Sequence, residues 1–205
     1  MVNDSDPGPD WTGLLASQLS WHWAAQARPR LDGLTDDEYF FEPVPGCWNV
    51  RPAGQPGPTP AYGPGAMRID FEFEPPEPAP VTTIAWRLVH LIIGVFGDRN
   101  ARYFAGPPMA YPTYAYPATA AQALAELDDG YARWIAGVSG LSAPDLAANC
   151  REPGFESDSM AALILHIHRE AIHHLAEIAL LRDLWANGLR SADGPGAAAG
   201  SVPGE

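Results

Sequence analysis

Apolar side chains recur at helical spacing in several long stretches of the chain, and the first of these covers residues 11 to 27. There the apolar positions follow the i, i+3, i+4, i+7 spacing of one helix face. Asp10 is a suitable N-cap residue, and Pro29 cannot continue the helix. The predicted inward face consists of Trp11, Leu14, Leu15, Gln18, Leu19 and His22.

Three further stretches carry the same pattern. They cover residues 81 to about 104, residues 119 to about 138, and residues 157 to about 188. Thr119 is a suitable N-cap for the third helix, and Gly188 is a suitable C-terminal stop for the fourth. Four long helices joined by long loops predict an all-α fold, namely a four-helix bundle with long crossover connections.

The first connection, residues 28 to 80, holds most of the prolines, so no ordinary helix can cross it. Within it we expect a short helix over residues 31–41, capped at Thr35, and a strand over residues 68–74. An ordered connection of this length in a small domain often covers a functional site.

The length of 205 residues fits one domain, which we place at residues 1–188. Residues 189–205 contain mainly Gly, Ala, Ser and Pro, with scarcely any large apolar side chain. Such a segment buries too little apolar surface to offset its loss of conformational entropy. We therefore expect a disordered C-terminal tail.

Charge and composition exclude several function classes. All 12 basic residues are arginine, which excludes a catalytic lysine, and the net charge of -13 disfavours binding of nucleic acid. Cys47 and Cys150 lie far apart without a CxxC spacing, so we expect both to be reduced. The chain has neither an apolar leader nor a membrane-spanning stretch, and we expect a cytoplasmic protein that binds no membrane.

Histidines are concentrated in one predicted helix. Four of the six fall within residues 166–174. His166, Glu170, His174 and Glu177 follow the spacing i, i+4, i+8, i+11, which places them near one stripe of the helix. Buried leucines and isoleucines are expected beside this stripe, so we predict that it faces inward.

Burying these groups is costly unless each is paired or binds a metal ion. Glu170 and His174 are one turn apart, and His90 lies in the middle of the most apolar helix. Together they form a predicted site for a divalent metal, with coordination positions left for water or substrate. The alternative is a structural hydrogen-bonded network without metal.

Other residues are candidates for the pocket around this site. The proline-rich loop over residues 43–64 is expected to wall it, and His168 and His173 are expected to lie on other faces, exposed or hydrogen-bonded. The pocket candidates are His22, Trp48, Trp86, His166 and Glu177.

Several segments of the chain resemble the DinB-like superfamily of four-helix metalloproteins, and more closely its actinobacterial branch. They include Trp21-His22-Trp23, the Pro-Gly-Cys-Trp-Asn-Val-Arg run over residues 45–51, and the runs over residues 28–34, 82–90 and 169–184. The resemblance implies a triad of one histidine on the second helix and a His-x-x-x-His pair on the last. Carried over, it falls on His90, position 170 and His174, where position 170 is glutamate.

The resemblance also implies thiol chemistry. Such relatives resemble metal-dependent S-transferases or isomerases that use mycothiol or bacillithiol on a small electrophile. The implied cofactors are a divalent ion, Zn²⁺ or Ni²⁺, and mycothiol as cosubstrate. Two alternatives remain open: a non-catalytic protein that binds a small molecule or metal in a stress response, and an inactive bundle that forms a homodimer through an apolar face.

Overall fold

The computed structural model describes residues 8–74 and 76–189. It is mostly helical, with four long helices and a small three-stranded antiparallel sheet. The predicted all-α class is therefore incomplete, because it leaves out the sheet. Most of the predicted tail, from residue 190 onward, lies outside the described residues.

The first long helix begins with α1, Trp11–His22, and continues through a π-helical turn, Trp23–Ala27, and a 3-10 turn, Arg28–Leu31. The side chain of Asp10 accepts a hydrogen bond from the backbone N–H of Gly13, as the N-cap prediction requires. The π-helical turn is wider than an α-helical turn, and the helix continues through it to the 3-10 turn that contains Pro29.

The inward face of α1 differs from the predicted face. Leu15 and Leu19 are buried as expected, but Trp11 is 61% exposed and Leu14 is 47% exposed. The helix carries apolar side chains around most of its circumference, so periodicity alone does not select the buried side. The side chains that this segment buries are Leu15, Ala16, Leu19, Trp23 and Ala27.

The second long helix comprises three consecutive segments. They are α3, Ile84–His90, a π-helical segment, Leu91–Gly97, and α4, Asp98–Tyr103. Before them lies α2, Asp36–Tyr39, a single turn whose N-cap is Thr35, as predicted. The observed start at residue 84 is three residues later than the predicted start.

The remaining helices follow a 3-10 turn, Tyr111–Thr113. They are α5, Ala120–Ser139, the short α6, Ala143–Ala147, and α7, Met160–Ala186. Thr119 caps α5 as predicted. Ser159 caps α7, so this helix begins slightly later than expected.

The small sheet lies within the proline-rich connection. β3, Met67–Asp70, is its central strand and pairs antiparallel with β1, Val50–Pro52, and with β2, Ala61–Tyr62. The observed strand therefore ends at Asp70, four residues before the end of the predicted strand over residues 68–74. β1 and β2 are too short to show a period of two, which is why the pattern did not reveal them.

Polar side chains attach this sheet to the start of α3. Asp70 accepts hydrogen bonds from the backbone N–H of Asn49, at 2.9 Å, and from Nε of Arg51, at 2.9 Å. The hydroxyl of Thr83, the N-cap of α3, donates to Oδ1 of Asn49 at 2.8 Å. The motif around residue 49 therefore fixes where the second helix begins.

The core is continuous between the helices and the inner side of the sheet. Its largest fully buried side chains come from the first, second and third long helices and from the connection. Among the described residues, no helix combines the length and the apolar character needed to cross a membrane.

Candidate metal centre

Two histidine rings from neighbouring helices meet in the bundle. His90 is the last residue of α3, and His174 lies in the middle of α7. Their ring centroids are 4.7 Å apart and the ring planes meet at 82°. The bundle thus brings together two imidazoles that are 84 positions apart in the sequence.

One nitrogen of each ring is held by a partner. Nδ1 of His90 lies 2.7 Å from the hydroxyl of Tyr111, and Nδ1 of His174 lies 2.8 Å from Oε2 of Glu177. With a proton on each Nδ1, the ring donates a hydrogen bond and its partner oxygen accepts it. The lone pair of each Nε2 is then free for a metal ion. Such partners commonly orient histidines that bind metals.

Glu177 is itself held by an arginine. Nη1 of Arg87, which lies on α3, donates to Oε2 of Glu177. This ion pair holds the carboxylate beside His174. A second helix-to-helix contact therefore supports the one between the two rings.

Glu170 lies beside His174 on α7. Its Oε2 is 3.9 Å from Nε2 of His174, and its Oε1 is 3.7 Å from Nδ1 of His166. Neither separation is a hydrogen bond. The carboxylate therefore faces the free nitrogen of His174, and about a third of the Glu170 side chain is exposed.

Among the described residues, the group whose ligand atoms come close enough together to share an ion is not the predicted triad, although it contains His174. Ligand atoms of His173, His174 and Glu177 all lie within 4.8 Å of one another, and this group could hold a metal ion. Nε2 of His173 is 3.3 Å from Oε1 of Glu177, and the side chain of His173 is 61% exposed. His173 was predicted to lie outside the site.

Both inner histidines are uncharged at neutral pH. Burial, followed by the positive charges of Arg99 and Arg87, lowers the pKa of His90 to about 4. Burial, followed by the charges of His90 and Arg87, lowers the pKa of His174 to about 4 as well. A metal ion binds the neutral form of imidazole, so these rings need to release no proton.

Aromatic rings wall one side of the centre. The ring of Trp86 stacks on that of His90, with centroids 5.3 Å apart and planes at 13°. Trp48 lies behind it, with its centroid 5.9 Å from that of Trp86. Phe71 stacks on Tyr111 at 4.6 Å. The segment after α1 and the crossover before α5 thus cover His90 with apolar surface.

Gly94 makes room for the contact between His90 and Tyr111. A Cβ atom at this position would lie 2.8 Å from the hydroxyl of Tyr111 and 3.1 Å from the ring of His90. The π-helical segment that begins one residue after His90 carries this glycine. Wide turns of this kind occur frequently at functional sites.

Two predicted pocket residues lie apart from the pair of rings. His22 lines a separate cavity between α1 and α7, together with Leu175 and Leu180. His166 has a side chain that is 44% exposed, and its Nδ1 lies 2.7 Å from Nη2 of Arg169. Trp86 and Glu177 contact the inner histidines directly, whereas Trp48 reaches them through Trp86.

The prediction for His168 was wrong. Its side chain is buried, with 4% exposure, and neither ring nitrogen has a hydrogen-bond partner among the described residues. Its ring makes an edge contact with Trp134 of α5, with centroids 6.2 Å apart. The buried face of α7 passes through residues 164, 168, 171 and 175, so the stripe of predicted ligands lies at the edge of the core.

Tyr111 is the functional candidate that the sequence analysis did not single out. It lies in a crossover that also contains Tyr114 and Tyr116, and nothing in the spacing distinguishes the three. The side chain of Tyr116 donates to the backbone carbonyl of Tyr111 instead. Only the path of the crossover past α3 selects Tyr111.

Comparison with known protein families gives one finding. The sequence profile of the DinB superfamily matches residues 18–178, which include every residue of the centre. No curated protein and no solved structure matches the chain.

Proposed function

Because this chain belongs to the DinB superfamily, we propose that it is a metal-dependent enzyme that transfers or isomerises through a low-molecular-weight thiol. The metal ligands in this proposal are His90, Glu170 and His174. The thiol is of the mycothiol type, and the second substrate is a small electrophile. Mycothiol and the actinobacterial branch come from the resemblance of the sequence segments described above.

The observation that carries the proposal is the pair of imidazoles whose Nδ1 atoms are held, while neither Nε2 has a hydrogen bond among the described residues. Glu170 adds a carboxylate oxygen on the same side of His174. Two imidazoles and one carboxylate suit Zn²⁺ and Ni²⁺. The group formed by His173, His174 and Glu177 is less favourable, because its carboxylate already pairs with an arginine and His173 faces solvent.

Neither cysteine of the chain is suited to be the nucleophile, which favours a nucleophile from outside the chain. Sγ of Cys47 lies against the backbone carbonyl of Val44, and burial raises the pKa of this thiol. Cys150 is also buried, and its Sγ lies 3.3 Å from a backbone carbonyl. Neither cysteine belongs to the centre, and a raised pKa disfavours the reactive thiolate.

Positive charge lies close to the proposed ligands. Arg87 and Arg99 both contribute positive charge near His90, and each also pairs with a carboxylate, Glu177 and Glu152 respectively. Positive charge favours a thiolate over a thiol. A divalent ion held here would lower the pKa of a coordinated thiol or water, which supplies a nucleophile at neutral pH.

Thiol consumption with a panel of cosubstrates tests the proposal. Mycothiol, bacillithiol, glutathione and cysteine would each be combined with a reactive electrophile such as chlorodinitrobenzene. We expect turnover that a chelator abolishes, that Zn²⁺ or Ni²⁺ restores, and that His174→Ala lacks even with added metal. The matched control is His173→Ala, which should retain turnover because this side chain lies outside the proposed ligand set.

Two outcomes would contradict the proposed activity. Metal and thiol binding without product would identify a non-catalytic binding protein of the same fold. Turnover that persists in the presence of chelator and in His174→Ala would show that the centre takes no part.

A further inference from the structure

An apolar groove lies on the surface between the first and the last long helix, and its volume is about 550 Å³. Most of its lining residues are alanine or leucine, namely Ala25, Ala27, Leu175, Ala176, Ala179 and Leu180. Because alanine side chains are small, the groove has room for a bulky apolar group from outside. Neither His90 nor His174 lines it, so the groove is separate from the metal centre.

A tryptophan protrudes beside this groove. Trp21 is 63% exposed, and its ring has no aromatic or hydrogen-bond partner among the described residues. It lies one turn before Ala25, which lines the groove, on the same side of the helix. On α7, Ile172 and Leu180 lie one turn to either side of Ala176 and are 36% and 59% exposed. The ring and the groove therefore belong to one apolar surface, which we call the α1–α7 surface.

The α1–α7 surface carries little charge. The first long helix contains no aspartate, glutamate or arginine between Trp11 and Ala27. At one end of the groove, Arg30 and Asp183 form an ion pair, so their charges cancel. The chain as a whole has a net charge of -13, and two copies therefore repel each other over most of their surfaces. They can approach with the least electrostatic cost through the α1–α7 surface.

Symmetry favours a second copy of this chain as the occupant of the groove. In a two-fold dimer the same patch of both chains meets, so that patch must be complementary to itself. The α1–α7 surface meets this requirement, because it holds both a protruding ring and a groove that can take one. A helix that lies on a membrane usually carries basic residues beside its apolar face, and α1 has no lysine or arginine.

We propose that the protein forms a two-fold homodimer through the α1–α7 surface, in which Trp21 of each chain inserts into the groove of the other. A two-fold axis that crosses the helix between Trp21 and Ala25 brings each ring opposite the partner's groove. The apolar area is on the order of several hundred Å² per chain, near the lower end of specific interfaces. We therefore expect a reversible dimer with a Kd in the micromolar range. The metal centres stay outside the interface, so dimerisation does not depend on the proposed activity.

Sedimentation velocity over a range of protein concentrations tests this inference. The wild type should change from monomer to dimer as the concentration rises. Trp21→Ala should weaken the dimer roughly thirtyfold or more, because a tryptophan inserted in a pocket carries much of the binding energy of an interface. Ala176→Glu should weaken it by a similar factor, since it places a carboxylate in the groove. Both positions face solvent in the single chain, so circular dichroism should show an unchanged fold.

Trp11→Ala is the matched control. Trp11 lies on the same helix and is 61% exposed, but it borders a different cavity, together with Leu141 and Leu146. This variant should dimerise as the wild type does. Equal weakening by Trp11→Ala and Trp21→Ala would indicate unspecific association of apolar side chains and would overturn the proposal.

A mixture of the two interface variants tests the reciprocal insertion. Trp21→Ala keeps the groove and Ala176→Glu keeps the ring, so a mixed pair can form one of the two contacts. We expect the mixture to dimerise about tenfold more tightly than either variant alone. The absence of any gain on mixing would overturn the proposal. So would a wild type that stays monomeric at millimolar concentration, whether or not it binds phosphatidylcholine vesicles instead.

Discussion

Glu177 shows how a single side chain can decide between two descriptions of the centre. In one description it orients His174 through Nδ1, and in the other it is itself a ligand together with His173. Its ion pair with Arg87 favours the orienting role, because that carboxylate oxygen is already engaged. Removing the negative charge of Glu177 should change the metal affinity by different amounts in the two roles.

We predict that Glu177→Gln lowers the affinity for Zn²⁺ about 10- to 100-fold without abolishing binding. The glutamine carbonyl can still accept from Nδ1 of His174, but it no longer increases the basicity of the ring. A competition titration against a chromophoric chelator measures the affinity. Complete loss of binding in Glu177→Gln, with binding retained in His90→Ala, would show that Glu177 is a ligand.

His168 supplies a prediction about pH. Burial lowers the pKa of His168 to about 4, below the value near 6.5 of an unfolded chain. The unfolded state therefore binds more protons between these values, and stability is lost as the pH falls from about 6.5 towards 4. The full effect is present above pH 6.5.

In chelated protein we expect the wild type to lose about 2 kcal/mol more unfolding free energy between pH 7.5 and pH 5 than His168→Leu does. His90 and His174 titrate in both proteins, so the comparison isolates His168. Urea unfolding at the two pH values gives the difference. Equal losses in both proteins would show that His168 has a protonation partner when folded.

At the scale of elements, the polar attachment of the sheet to α3 is a specific source of stability. Asp70 is 1% exposed and pairs with Arg51, whose side chain is 12% exposed. The backbone carbonyl of Asp70 also accepts from Nε1 of Trp86, the residue that stacks on His90. The sheet therefore positions a wall of the metal centre.

We predict that Asp70→Ala destabilises the protein by about 3 kcal/mol, because it removes one partner of a buried ion pair. The matched control is Asp183→Ala, which breaks the exposed pair with Arg30 and should cost less than about 1 kcal/mol. Chemical denaturation of both variants provides the measurement. Similar costs for the two changes would mean that Glu42, which pairs with Nη1 of Arg51 at 2.6 Å, is a sufficient partner for Arg51 alone.

The elements differ in how far the sequence could predict them. Helix starts at Thr35 and Thr119 followed from local capping, which depends only on neighbouring residues. The short α6 also carries such a signal, since Ser142 and Asp145 form a capping box that the sequence analysis overlooked. β1 and β2 were beyond reach, because strands of three and two residues show no periodicity.

The candidate site shows the same limit. Helical geometry fixes the spacing of Glu170 and His174, so their common stripe could be predicted. The rotation of α7 against the core depends on all its neighbours, and for that reason the burial of His168 was missed. Tyr111 comes from a loop, where no repeat relates one residue to another.

For the whole molecule, the proposed ion would connect the second and fourth long helices. An ion that binds only the folded state adds about 2.7 kcal/mol to the free energy of unfolding at a hundredfold excess over its Kd. The melting temperature must therefore rise. Such a link between distant parts of the chain makes folding stability a readout of the site.

We therefore predict that added Zn²⁺ raises the melting temperature of the wild type and of Glu170→His, since an imidazole can replace the carboxylate at the same turn. Glu170→Ala should show a smaller shift. Differential scanning calorimetry with and without Zn²⁺ measures these shifts. In a hydrogen-bonded network without metal, Zn²⁺ would shift none of the three, and both substitutions would only lower stability.

Elemental analysis of protein purified without chelator or metal-affinity tag tests whether His90, Glu170 and His174 bind an ion. We predict about one divalent ion per chain in the wild type and in His173→Ala, and almost none in His90→Ala or His174→Ala. A full complement of metal in His90→Ala, with loss in His173→Ala, would place the ion on the outer face of α7. That result would contradict the proposed ligand set of His90, Glu170 and His174.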